Sequence, residues 1–429
     1  MPARAGGRLH EPVRGRRGGP ARRQPLDRPA RRRPALLRHP QPAAGGRAHG
    51  AGGPRAPPGA RRRHRRAQPA PRARHRGGAA ARRRRRRAAG RLASRARPLR
   101  PGAGVSPPRV GAILVNLDCG ALVDLVFPSL AKQTWPALEI VVVDNGSTDG
   151  SAERIEREFP GARVIRLGHN AGFSAALNAG IRATTGAYVL SLNFDVVLEP
   201  EFVAALVEAL ERRPEAGWAA GAMRQLRPQG VVDAIDCYGH WLLPSRYVYG
   251  CDPARRRPDE YPAECLVFGA SACAALYRRR MLEDLALDGE IFDEDLFAYF
   301  EDVDLDWRAQ QRGWRCVFTP AARGAHMRGG TGLDKRAEVA ALPVANRFLV
   351  MLKNDAPSEV ARHLGPILLR TLRDVAMHLR AHPRSLLIAL GRLVRLAPRM
   401  LAKRRRLRAT RRTSRAYLAS LTLRTRFLG

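Results

Sequence analysis

The chain has 429 residues, 77 Lys+Arg against 38 Asp+Glu, a formal net charge of +39 and 45% hydrophobic residues. That length allows two or three domains and a sizeable core. No run of ~18 apolar residues marks a spanning helix, no apolar segment makes the N-terminus a secretory signal, and six scattered cysteines without a C-x-x-C pair argue against a zinc site or disulfide framework.

The charge is unevenly spread. Residues 1–108 hold 32 arginines and two acids, leaving about +9 for the rest of the chain, an ordinary value for a soluble or peripheral protein. This Arg/Pro/Ala/Gly-rich leader has too few aromatic and β-branched residues to offset its ordering entropy, so it is expected to be disordered. It reads as an inert leader, including one produced by a start codon assigned too early, or as a nucleic-acid arm; the inert reading is preferred, and nucleic acid is not the expected partner.

At Val110 the pattern changes. "VGAILVNL" is an apolar run without helical period, as in a buried strand. "GALVDLVFPSLAKQ" (120–133) has helical spacing, with Pro128 implying a kink or an early turn. "EIVVVDNGSTDGS" (139–151) is a second strand entering a turn, where Asp149 or Ser151 can cap the next helix. "ARVIRLGHN" is a third strand, "SAALNAGIRATTG" a helix stopped by Gly186 and "AYVLSLNFD" a fourth strand. "EPEFVAALVEALERRP" is an amphipathic helix, and "GWAAGAMRQL" reads as a fifth strand. Strands alternating with helices predict an α/β, mostly parallel sheet with ligands beyond the strands' carboxyl ends.

Residues 227–264 show no clear period and are expected to be an irregular insertion shaping a substrate cleft. "CLVFGASACAALYRR" reads as one or two strands around Gly269, Asp288 to Phe300 as loop and "CVFTP" (316–320) as a short strand. From residue 334 onward the pattern is helical, with Arg between apolar positions. This suits packing on the preceding domain or docking on an anionic membrane surface.

Several residues carry candidate chemistry. Asp144 and Asp149 flank a glycine at a strand end, suiting either a base contact or a tight turn. Asp195 ends the fourth strand, where a carboxylate either caps a turn or holds a divalent cation against a diphosphate. "FEDVDLDW" packs Glu301, Asp302, Asp304 and Asp306 into six residues. These form an acidic first helical turn, or include a general base among aromatic neighbours; Asp302 and Asp306 would repel at i,i+4 if the helix begins early. His326, before Gly329 and Gly330, is a candidate metal ligand.

The order of these stretches resembles the family-2 glycosyltransferases of the GT-A fold, rhamnosyltransferase-like branch. "ILVNLDCG", "LAKQTWPALEIVVVDNGSTDGS", "GHNAGFSAALNAGI", "YVLSLNFDVVLEP" and "FDEDLFAYFEDVDLDWRAQQRGW" carry the resemblance over about half the chain. It implies a leader (1–108), a GT-A domain (109–333) and a helical extension (334–429). It also implies that Val115, Asn116, Asp144, Asn145, Asn170, Gly172, Asn178 and Asn193 line the donor nucleotide. Asp195 and His326 would hold Mg2+ or Mn2+, and Asp302, with Glu301 beside it, would be the general base.

The implied reaction is inverting transfer from a nucleoside-diphosphate sugar, dTDP-rhamnose the leading donor, to a cell-surface glycan or lipid-linked acceptor. It would run in the cytoplasm of a bacterium, at the inner membrane face if the C-terminal helices dock there. Two departures stand out: Asn193-Phe194-Asp195 lacks the first acid of the family's metal motif, and "VNLDCG" replaces "VNWNG". The missing acid leaves an inactive nucleotide-sugar-binding homologue as an alternative, alongside a nucleic-acid-binding protein acting through its arm.

Overall fold

The parallel half of the sheet follows the apolar runs. Val110–Asn116 (β1), Leu138–Asp144 (β2), Ala162–Arg166 (β3) and Tyr188–Leu192 (β4) pair in parallel in the order β3-β2-β1-β4. The computed structural model describes residues 106–251, 261–328 and 336–422. The expectations for residues 1–105, for Gly329 and Gly330 and for the boundary at residues 333–334 lie outside the described residues.

Both faces of this half are covered, which explains runs such as Ile113-Leu114. Leu114, Val142 and Leu190 face one core with Val123–Ala131 (α1), Ser151–Glu158 (α2) and Phe202–Glu211 (α4). Ile113, Val141 and Val189 face the other with Phe173–Ala183 (α3), Arg279–Leu285 (α5) and Glu301–Arg312 (α6). The helix read over 120–133 opens as a 3-10 turn at Gly120–Leu122, and α1 runs through Pro128 to Ala131. Helix α3 ends at Ala183, three residues before Gly186, the glycine expected to stop it.

The second half is mixed. Val196–Leu198 (β5), Ala216–Arg227 (β6), Gly230–Cys237 (β7), Cys265–Val267 (β10), Ala274–Arg278 (β11) and Arg315–His326 (β12) extend the sheet as β10-β12-β6-β11-β4, with β5 on β12 and β7 on β6. Here β11 is antiparallel to both β4 and β6, while β12 is parallel to β6. The expected irregularity of 227–264 is thus corrected in part. β7 pairs antiparallel with β6, and Trp241–Leu242 (β8) pairs with Val248–Tyr249 (β9). Alternation in "GVVDAIDC" is the strand signal, obscured by the Pro- and Arg-rich residues around it. The whole is a Rossmann-like α/β architecture with a mixed sheet, followed by helices.

Those helices are Ala337–Asn354 (α7), Pro357–Arg362 (α8), Leu364–Ala381 (α9), Pro383–Thr410 (α10) and Arg415–Ser420 (α11). Leu349 and Val350 of α7 and Leu396 and Met400 of α10 share a buried cluster with Val303 and Trp307 of α6. Beside it lies an ion cluster. Lys353 Nζ is 2.6 Å from Asp293 Oδ2 and 2.7 Å from Asp304 Oδ2, and Arg308 Nε is 2.8 Å from Asp304. Lys403 reaches the other oxygen of Asp293 at 2.6 Å. Burial opposes ionisation of Asp304, but Lys353 and Arg308 hold its pKa below the ordinary value.

Lys353 lies between two buried carboxylates; without it Asp293 is left with Lys403 and Asp304 with Arg308, and the two anions lose the charge between them. Lys353→Met is therefore expected to cost about 3–5 kcal/mol of stability, read by denaturant unfolding. A loss under 1 kcal/mol, roughly that of an exposed pair, would show that the cluster does not hold the extension in place.

Candidate active site

The carboxyl ends of β1 and β2 bring Asn116 beside Asp144. Asn116 is buried, and its Nδ2 lies 2.9 Å from Asp144 Oδ1, 3.0 Å from Ser147 Oγ and 2.8 Å from Ser151 Oγ. The "VNLDCG" turn is tied to the next loop: Thr148 N donates to Asp118 Oδ1 at 2.7 Å and Gly120 N to Asp149 Oδ2 at 2.8 Å. Asp149 also accepts from Ser151 N at 2.9 Å, so its carboxylate is spent on the turn and the start of α2.

Asn145 links this loop to the next. Its Nδ2 donates to Asn170 Oδ1 at 3.0 Å and its Oδ1 accepts from Ala171 N at 2.9 Å. Gly172 has φ +94°, and an added Cβ would lie 2.5 Å from the Phe297 ring, so only glycine fits between the Asn170 loop and the loop before α6. Val115 is half-buried beside Asn116. Asn178, by contrast, is buried away from these loops: it donates to Phe292 O at 2.8 Å and accepts from Phe292 N at 2.9 Å. Its amide is occupied in fixing that backbone.

Asn193 and Asp195 lie in the turn between β4 and β5. Asn193 is half-buried, and its N–H donates to Cys273 O at 2.9 Å. Asp195 Oδ1 is buried without a hydrogen-bond partner, and His326 Nε2 faces it at 3.4 Å, an ion contact longer than a hydrogen bond. The other ring nitrogen, Nδ1, pairs with Asp236 Oδ2 at 2.9 Å, and Arg328 pairs with the same carboxylate. Burial opposes charge on His326, but Cys273, Asp195 and Asp236 raise its pKa to about 11.

An orphaned carboxylate oxygen opposite an oriented imidazole fits a hard divalent cation once the ring gives up its proton. Among the described residues no group of three or more His, Cys, Asp or Glu surrounds one point. Asp195 and His326 are the side chains that would hold the cation.

The acids of α6 divide among different surroundings. Asp302 is half-buried; its Oδ2 accepts from Ala272 N at 3.2 Å and its Oδ1 from Val303 N at 2.8 Å. The Ala272–Cys273 backbone thus touches Asp302 on one side and Asn193 on the other, bringing Asp302 and the Asp195 turn to one edge of the sheet. Glu301 is buried and its Oε2 has no partner. Burial, with Asp302 adjacent, raises its pKa well above the ordinary value.

Asp304 belongs to the ion cluster. Asp306 is fully buried, accepting from Trp218 Nε1 at 2.9 Å and pairing with His240 Nδ1 at 2.6 Å. The loop leading to Asp302 is bent: Phe297, Tyr299 and Phe300 all have φ between +65° and +70°. Asn346 of α7 braces it, donating to the carbonyls of Leu296, Ala298 and Tyr299 at 2.7–2.9 Å.

Asp236, His240 and Asn346 were not among the expected site residues. Asp236 and His240 sit in the segment read as irregular, and Asn346 in a helix read only for its apolar face. Alternation through β7 was the one available signal.

Residues 113–286 match the model of Glycosyl transferase family 2. That matched segment runs from β1 to α5, about two fifths of the chain. It is 29% identical over 253 residues to the N-acetylglucosaminyl-diphospho-decaprenol L-rhamnosyltransferase of Mycobacterium tuberculosis, covering 53% of this chain and 80% of that one. It is 41% identical over 131 residues to the uncharacterized glycosyltransferase YibD of Escherichia coli, covering 27% and 37% of the two chains. Among solved structures it is similar to the mannosyltransferase PcManGT from Pyrobaculum calidifontis in complex with GDP-Man and Mn2+, at 20% identity and TM-score 0.42, covering 71% and 86% of the two chains.

Glu301 yields a pH test. A carboxyl whose folded pKa is raised is protonated in the folded chain over a range where the unfolded chain has released its proton, so stability falls as pH rises through that range. Glu301→Gln removes this dependence. Its stability relative to the parent should therefore grow between pH 4.5 and 8, by roughly tenfold in the folding constant per pH unit until the folded group ionises. A difference that stays flat in pH-dependent thermal unfolding would place an ionised Glu301 in the folded protein.

Proposed function

We propose that the protein is an inverting glycosyltransferase that moves a sugar, L-rhamnose first among the choices, from a nucleoside-diphosphate donor to a hydroxyl of a lipid-linked glycan. The observation carrying this reading is the shared edge at Ala272–Cys273, which joins the Asp302 carboxylate to the turn holding Asp195. Asp302 takes the acceptor hydroxyl proton, the hydroxyl oxygen attacks the anomeric carbon, and the diphosphate leaves with the bonding electrons.

Asp195 and His326 would hold a divalent cation whose charge, when bound, offsets that of the departing diphosphate. Asp236 orients His326 for this role. Asp144, Asn145, Asn170 and Gly172 would border the nucleotide, with Val115, Asn116 and Asn193 at its edge. Asn178 would shape the site through Phe292. Rhamnose and a polyprenyl-diphosphate-linked acceptor follow from the name of the mycobacterial relative.

Turnover would be assayed with dTDP-rhamnose and an N-acetylglucosaminyl-diphospho-polyprenol acceptor, with Mg2+, Mn2+ or chelator. Asp302→Asn should lower kcat about 10²–10⁴-fold while leaving donor binding by calorimetry near the parent value. Near-normal turnover would remove Asp302 as the base. Donor binding by the parent without transfer to any acceptor would instead favour the inactive homologue.

The extension supplies a reason to place the reaction at a membrane surface. No helix among the described residues is long and apolar enough to span a bilayer. Yet Leu364, Leu368, Leu372 and Leu379 line one exposed face of α9, and Leu387, Leu390, Val394 and Leu401 one exposed face of α10. Leu372 is 67% and Leu387 74% exposed. Arginines such as Arg373, Arg380, Arg384 and Arg395 stand among them. This pairing of apolar and basic residues suits anionic lipid, whereas a second copy would bring like-charged rows together.

Vesicle co-sedimentation should show binding to anionic phosphatidylglycerol that exceeds binding to phosphatidylcholine. Leu372→Ser with Leu387→Ser should weaken it about tenfold or more. Equal sedimentation of parent and variant, or a parent that dimerises through this face instead, would overturn the assignment.

A further inference from the structure

Asp302 and Asp306 lie four residues apart, one above the other on α6, where two carboxylates repel. The ring of His240 stands against both: Nδ1 is 2.6 Å from Asp306 Oδ2 and Nε2 is 3.8 Å from Asp302 Oδ2. His240 is buried, and its backbone is locked to Gly269, donating to Gly269 O at 2.7 Å. Asp306 is fixed in turn by Trp218 Nε1 at 2.9 Å and Ala270 N at 3.2 Å. Gly269 has no Cβ because the Asp306 carboxylate occupies that space; a Cβ there would meet Asp306 Oδ2 at 1.8 Å. An imidazole this tightly held and aimed at the reacting carboxylate has a use beyond filling the core.

We propose that His240 is a positioning residue for the general base: oriented by Asp306, its ring offsets the repulsion between the two carboxylates and keeps the Asp302 carboxylate pointed at the acceptor. The proposal rests on the reading of Asp302 as base. Charged and titratable groups face the ring or its carboxylates from each packed element. They are Asp302 and Asp306 from α6, Arg328 after β12 and, behind the carboxylates, Glu301, Tyr277 of β11 and Cys316 of β12. Burial disfavours charge on His240, but Asp302 and Asp306 outweigh it and raise its pKa above the ordinary value. Burial likewise raises Asp306, to about 6, against the lowering pull of His240. In the transfer step the acceptor proton moves to Asp302 and is later released to solvent. His240 changes neither the bonds made nor those broken.

Two measurements on the full-length protein test this. The first needs no substrate: the His240 imidazole is titrated by nitrogen-15 NMR, its signal assigned by loss in His240→Gln. With one anion removed, the ring should titrate at lower pH in Asp302→Asn than in the parent, by about one unit or more. An unchanged titration in a folded Asp302→Asn overturns the proposal.

The second is the pH profile of kcat/KM. His240→Gln should lower it about 10–100-fold at pH 7, with donor affinity kept. It should also move the acid limb, which reports the cluster as a whole, to higher pH. Asp306→Asn, which retains the Oδ1 acceptor for Trp218, should move the limb less. Activity lost with the limb unmoved would reduce His240 to core packing and overturn the proposal. Should Asp302→Asn itself keep turnover, the base reading fails first, and the proposal with it.

Discussion

Everything near the site depends on how one short helix distributes four carboxylates. A helical turn of 3.6 residues sends Glu301, Asp302, Asp304 and Asp306 toward different neighbours, with Asp302 and Asp306 one above the other at i,i+4. Asp304 turns to Lys353 and Arg308. Glu301 turns into a buried site where its Oε2 meets no donor. Asp302 and Asp306 meet His240. The acidity of this stretch is therefore three separate answers to burial: pairing with cations, a raised pKa, and an imidazole between two anions.

The C-terminal helices belong to the same problem. Lys353 reaches into the α6 cluster from α7, and Lys403 from α10. Asn346 satisfies three carbonyls of the loop that carries Phe297, Tyr299 and Phe300 in left-handed conformation. Unsupported, such a loop would relax and carry the start of α6 with it. The inner faces of these helices thus support the proposed base, while their outer faces are apolar and basic.

At the other side of the site, loops are joined by amide and carboxylate side chains. Asn116, Asn145 and Asp149 bind neighbouring turns to one another, so the loops beyond β1, β2 and β3 form one hydrogen-bonded rim. The Asp195 turn differs: its carboxylate keeps one oxygen without a donor, facing a histidine. Asp236 holds the far side of that histidine.

The sequence by itself determined the parallel half of the sheet, because strands buried on both faces must be continuously apolar and each is followed by a helix. It also marked Asn116, Asp144 and Asp195, since polar residues closing apolar runs of a parallel sheet stand where ligands bind. Only the tertiary structure decided which acids are alike. Residues 301–306 are chemically interchangeable on paper, and their surroundings come from Lys353, 49 residues beyond Asp304, and from His240, 66 residues before Asp306. It also decided the use of Asn178, whose amide is taken by Phe292, 114 residues away. Periodicity reports which face of an element is buried; it carries no information on what that face is buried against.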